Sequence, residues 1–75
     1  MFDKKIFGER LFALRTAANI SQQTLGLEMS IGKSAISMME NGQRSASAEI
    51  LIALADYFDV SLDYLVGRSD DPTRR

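Results

Sequence analysis

The sequence predicts an all-α domain of five short helices. Three observations carry that expectation. Apolar residues recur at helical spacings along most of the chain, residues suited to capping or stopping a helix separate these runs, and two of the runs are joined by a very short turn. In chain order, Phe7, Leu11, Leu14 and Ala18 stand four, three and four residues apart and give the first helix one buried stripe from about Lys4 to Ala18, ended at Asn19. Ser21 is the N-cap of the second helix, whose inner face carries Leu25 and Met29. Ser30, Ile31 and Gly32 make the turn. The third helix runs from about Lys33 to Glu40, with Ile36 and Met39 or Glu40 sharing a face, and closes at Asn41-Gly42, where glycine suits a left-handed C-terminal position. Gln43 to Ala46 form a loop, Ser45 or Ser47 caps the fourth helix, and Leu51, Leu54, Ala55 and Phe58 keep a helical period until Asp59 breaks it. Ser61 caps a fifth helix from Leu62 to Val66, with Asp63 favoured by the dipole in its first turn, and Gly67 stops it. Residues 1–68 thus form one domain, and residues 69–75, with Ser69, Asp70, Asp71 and Pro72, a polar tail or the root of a linker.

With 75 residues, 45% of them apolar, the chain can bury a single small core. The absence of Cys excludes a disulfide framework, and the absence of His as well removes the common zinc ligands. No glycine-rich phosphate loop follows a strand and no carboxylate pair stands outside plain solvated helix positions, so an enzyme is not expected and no cofactor or small-molecule ligand is implied. The longest apolar stretch, Ile50 to Ala55, is far too short to cross a bilayer, and the charged N-terminus lacks a signal-peptide core. No membrane partner is implied and the cytoplasm is the expected location. The net charge of −1 hides an asymmetry: residues 1–45 hold six basic residues (Lys4, Lys5, Arg10, Arg15, Lys33, Arg44) against four acidic ones, whereas residues 46–75 hold three against six.

Two helices clamped across a tight turn form a helix-turn-helix, which leaves the outer face of its second helix free to enter the major groove of duplex DNA. Lys33, Ser34, Ser37 and Met38 fall on one strip of that face, opposite Ile36. Lys33 suits guanine O6 or N7, or a phosphate; the serines suit most base edges; Met38 suits a thymine methyl group or, alternatively, the core. Gln22, in the first turn of the second helix, lies beside unpaired amides and the positive end of a dipole, which favour a phosphate. Asn41, Gln43, Arg44 and Ser45 follow the third helix, and the fork of Arg44 can hold a phosphate through two bonds. The plainer alternative at each position is a solvated surface residue. Gly32 is a tolerable N-cap, only a few tenths of a kcal/mol worse than Ser.

The run from Ser21 to Gly42 also resembles the Cro/repressor (Xre) family of helix-turn-helix domains. Ser21, Gln22, Leu25, Ile36, Ser37 and Glu40-Asn41-Gly42 fall on its characteristic positions without a gap, and the likeness extends from Gly8-Glu9-Arg10-Leu11 and Leu14-Arg15 to Val60-Ser61-Leu62-Asp63-Tyr64-Leu65 and Gly67-Arg68. Departures are Gly26 at a position commonly Ala, Ser30 for the turn Gly, Gly32 for a Ser or Thr cap, Met38 for a polar reader and Met39 for Tyr or Leu. Ser30 in place of glycine implies backbone strain. The resemblance implies a five-helix, lambda-repressor-like bundle acting as a sequence-specific double-stranded DNA-binding transcriptional regulator, a repressor. Its interface would comprise Gln22, Gly32, Lys33, Ser34, Ser37, Met38, Asn41, Gln43 and Arg44. It further implies an Arg15–Glu40 ion pair tying the first helix to the third, and a homodimer on a near-palindromic operator with Leu62 and Tyr64 packed across the two-fold. The alternative is a protein-interaction module of the same fold, antitoxin-like or an anti-repressor partner, which the low net charge, Met38 and Met39 favour.

Overall fold

The computed structural model describes residues 2–74; Met1 and Arg75, at the ends of the two expected segments, lie outside the described residues. The elements are α1 (Lys4–Ala17), α2 (Gln22–Glu28), α3 (Lys33–Glu40), α4 (Ala48–Tyr57) and α5 (Leu62–Leu65). Among the described residues there is no strand. The bounds of α3 match the sequence expectation, while α1, α4 and α5 each stop one residue earlier than expected because Ala18, Phe58 and Val66 serve as C-caps.

Four helices begin with a side chain accepting a backbone amide. Ser21, Ser47 and Ser61 cap α2, α4 and α5 by bonds of 3.0, 3.2 and 3.0 Å from the amides of Thr24, Ile50 and Tyr64. Ser47, not Ser45, is therefore the cap of α4. Asp3, which carries no signal in the apolar period, caps α1 through Lys5 and Ile6. Gly32 caps α3 with no side-chain bond.

All five helices end in the same way. The residue after each C-cap has a positive φ: Asn19 (59°), Ser30 (59°), Gly42 (75°), Asp59 (56°) and Gly67 (85°). The following amide then reaches back to the helix's third-last residue, from Ile20 to Arg15, Ile31 to Gly26, Gln43 to Met38, Val60 to Ala55 and Arg68 to Asp63. This double-bonded ending satisfies the orphan carbonyls and turns the chain sharply. Asn and Asp tolerate the left-handed region better than Ser, so the φ of 59° at Ser30 carries the backbone strain expected where the family commonly has glycine.

The core is one cluster built from every helix: Phe7 and Leu11, Leu25 and Met29, Ile36 and Met39, Leu54 and Ala55, and Leu65. Ile20 and Ile31, the first residues after two of the left-handed positions, pack against it together with Ile50, which the apolar period leaves at the edge of α4. Close backbone approach sets how the motif is held. A Cβ on Gly26 would lie 2.8 Å from the Ile31 carbonyl oxygen and 3.2 Å from the Gly32 carbonyl carbon, so α2 and the turn sit closer than an alanine permits. At Gly8, α1 crosses the end of α3 so tightly that a Cβ would strike the Met39 and Glu40 carbonyls.

Residues 69–74 return along the body. The Ser61 amide donates to the Pro72 carbonyl at 2.9 Å. Arg74 donates to the Ala55 carbonyl at 3.1 Å and to Asp56 at 2.7 Å. Composition sets this segment apart as a polar tail, yet its backbone and its arginine are bonded to α4 and to the cap of α5.

Candidate nucleic-acid interface

The two faces of α3 divide cleanly. Ile36 and Met39 are fully buried, whereas Gly32, Lys33, Ser34 and Met38 are exposed and Ser37 is half-buried. Met38 keeps 41% of its surface and is no part of the core. The exposed strip continues past the helix through Asn41, Gln43 and Arg44. Among the described residues Arg44 makes only a 3.4 Å bond to the carbonyl of Ser45 beside it, which leaves its guanidinium largely available. The structure thus joins eight of the nine expected interface residues in a continuous stretch of surface.

The ninth, Gln22, is tied to this surface through Glu40. Arg15 grips Glu40 by two bonds, Nε to Oε2 at 2.6 Å and Nη2 to Oε1 at 3.1 Å. Its remaining Nη1 donates to the Ile20 carbonyl at 2.8 Å. Gln22 Nε2 donates to the same Oε1 at 3.0 Å. The Arg15 and Glu40 side chains retain only 12% and 3% of their surface, so the pair is desolvated and its bonds are correspondingly strong. Donating hydrogen bonds to the Glu40 carboxylate raises the Arg15 pKa, against the opposing effect of burial and with the help of the charge on Glu40. The contribution of Arg15 to stability is therefore present throughout the physiological range and is lost only as strongly alkaline pH passes its folded-state pKa. One carboxylate locks the end of α3, the first turn of α2 and the last turn of α1 together. The expected ion pair is present, and Gln22, expected either at a phosphate or as a solvated polar residue, also belongs to the brace; its other amide hydrogen is not used within it.

Arg10 has a role that no local pattern announced. Its Nη1 donates to the carbonyls of Tyr64 at 2.5 Å and Ser69 at 2.6 Å, its Nη2 to Asp70 at 2.7 Å, and its guanidinium stacks 4.2 Å from the centre of the Tyr64 ring. Tyr64, expected at a dimer interface, is thus half-buried beneath an arginine of its own chain. Leu62 remains exposed at 39%, close to Ile52 at 50%, and both line a cleft with Val60 and the returning Arg74. The missing signal is distance in sequence: Arg10 and its partners are 54 to 60 residues apart.

A profile of helix-turn-helix domains matches residues 11–65. The chain is similar to the transcriptional regulators AnsR of Bacillus subtilis (strain 168), 42% identical over 60 residues, and YobD of the same organism, 33% identical over 67 residues. Those matches cover 80% and 89% of this chain but only 52% and 60% of the two relatives, so the chain spans little more than half the length of these curated proteins. Among solved structures, the P22 c2 repressor in complex with a synthetic operator superposes with a TM-score of 0.80 at 33% identity, covering 85% of this chain and 97% of that one. The restriction-modification controller protein C.AhdI from Aeromonas hydrophila superposes with a TM-score of 0.74 at 36% identity, covering 84% and 91% respectively. Matched over most of its length by the profile and folded like these repressor and controller proteins, the chain belongs to the helix-turn-helix family.

Proposed function

We propose that this domain binds a specific double-stranded DNA operator in the cytoplasm and regulates transcription, as a repressor, by laying α3 in the major groove. The observation that carries this reading is the division of α3: its inner face is fixed by Ile36, Met39 and the Arg15–Glu40 pair, and its outer face presents only Lys33, the serines and Met38. The fold shared with an operator-bound repressor at a TM-score of 0.80 supports the same orientation. Lys33, Ser34, Ser37 and Met38 read base edges, and Gly32 lets the start of α3 approach the duplex closely. Gln22, Asn41, Gln43 and Arg44 follow the phosphates.

The domain acts as a homodimer, because one small and nearly neutral module offers few contacts to a half-site. Exposed Leu62 and Ile52 support a dimer surface along α4 and α5; Tyr64 supports it from beneath through its contact with Arg10. Selection of bound sites from random duplexes tests the proposal. The expected outcome is a near-palindrome whose half-sites are about 34 Å, or one duplex turn, apart. Arg44→Ala should weaken binding to all sequences similarly, while Lys33→Ala loses about 1–3 kcal/mol mainly at one base pair. Recovery of no common sequence, with both variants binding as the parent does, contradicts the proposal and favours a protein partner for this face.

A further inference from the structure

The interface described above contains two cations, Lys33 and Arg44, because Arg10 and Arg15 of the same basic half are held inside the fold by Tyr64, Ser69, Asp70, Glu40 and Ile20. The two remaining basic residues of residues 1–45 are Lys4 and Lys5. Both are exposed, and neither has an ion-pair partner among the described residues; Glu9, one turn beyond Lys5, makes no bridge to it. They occupy the first turn of α1, where a positive charge opposes the helix dipole and works against stability. Folding alone therefore gives no reason for two lysines at this place.

Their neighbourhood gives one. The first turn of α1 rests on the loop that follows α3: a Cβ on Gly42 would lie 3.4 Å from the Lys5 Cα and 3.9 Å from the Lys4 carbonyl oxygen. Gly42 stands between Asn41 and Gln43-Arg44, the segment that continues the exposed strip of α3. Phe2, Asp3, Lys4, Lys5 and Gly42 together line a shallow cleft at this junction. Asp3, the acid in that cleft, points its carboxylate at the amides of Lys5 and Ile6, at 2.9 and 3.3 Å, and is occupied as the helix cap.

We propose that Lys4 and Lys5 extend the Asn41–Arg44 loop into a two-element phosphate clamp that holds the sugar-phosphate backbone of the operator. The inference rests on the DNA-binding reading above and adds to it a contact from α1, outside the helix-turn-helix. Because phosphate contacts carry no base information, the clamp contributes affinity and register but no sequence preference.

The test is the double variant K4Q/K5Q in the full chain, measured against the selected operator and against unrelated duplex DNA over a range of salt concentrations. The variant should keep its helical content and melt at the same or a higher temperature, since it loses two charges unfavourable to the dipole. Its affinity should fall about tenfold or more near physiological salt for both duplexes, with a log-log salt slope shallower by about 2 per subunit, from roughly 0.9 for each lost phosphate contact. K4R/K5R should retain the parent's slope. Unchanged slope and affinity in K4Q/K5Q, with the parent still binding steeply with salt, would overturn the clamp alone. Loss confined to one base pair would also overturn it, by making these lysines base readers. If the parent itself shows no salt-dependent binding to any duplex, the DNA reading fails, and the clamp with it.

Discussion

Arginines fasten both halves of this domain, yet the two fastenings differ in kind. On the helix-turn-helix side, Arg15 and Glu40 are almost removed from water, and every hydrogen bond of the brace runs between α1, α2, α3 and the link at Ile20. On the side of α4, α5 and the returning segment, Arg10 reaches a fully solvated Asp70, and Arg74 meets Asp56 with both side chains substantially exposed. A buried pair is expensive to break because the survivor is left charged and unsolvated, whereas an exposed pair exchanges readily for water. The contrast assigns rigidity to the side that carries the proposed DNA-facing surface and leaves the other end held by more exposed contacts.

The largest expected effect is therefore at Glu40. Glu40→Ala strands the Arg15 guanidinium and the amide of Gln22, and should cost about 3–5 kcal/mol in chemical denaturation. A loss below about 1 kcal/mol would erase the difference between the two halves. Next comes Gly26→Ala, which forces a methyl group against the Ile31 carbonyl and should cost about 1–3 kcal/mol, even though alanine is common at this position in the family it resembles. If the variant is as stable as the parent, the turn can yield without penalty and the closeness of α2 to α3 has been overstated.

Arg10→Ala removes two carbonyl bonds and the stacking on Tyr64, for an expected loss of about 1–2 kcal/mol. Hydrogen exchange should then rise first in α5, not in α3. Ser30→Gly should move stability the other way, by about 0.5–1 kcal/mol, since glycine adopts a φ of 59° without strain. The smallest effect belongs to Arg74→Ala, at most about 0.5 kcal/mol, as expected for a partly exposed pair. A thermal melt of each variant ranks the series, and an Arg74 effect as large as that of Glu40 would erase the difference between the two halves.

What the sequence disclosed follows the same division. Most helix ends were legible because their causes are local, a serine cap at the start and an Asn, Asp or Gly at the stop, whereas the Asp3 cap of α1 was not read from the sequence. The exposed face of α3 was legible because Ile36 fixes which side turns inward. The Arg15–Glu40 pair was reached only through resemblance, and its third member was not, since nothing in Gln22 announces that it shares an acceptor with an arginine seven residues upstream. Arg10 and Tyr64 were illegible for a related reason: the bonds of Arg10 join residues more than fifty positions apart, and those of Arg74 to Ala55 and Asp56 in the returning segment, though shorter in range, likewise follow no period. The closeness at Gly26 was likewise hidden, because a small residue in sequence does not reveal what backbone lies against it.

The central claim is that the exposed face of α3 and its following loop engage the phosphates and bases of duplex DNA. The salt dependence of binding to a selected operator tests it most directly. For a dimer making several phosphate contacts per subunit, log affinity should fall against log salt with a slope of roughly −4 to −8, at about −0.9 per contact. A flat dependence, or no binding to any selected duplex, would contradict the claim and leave a protein partner as the occupant of that face.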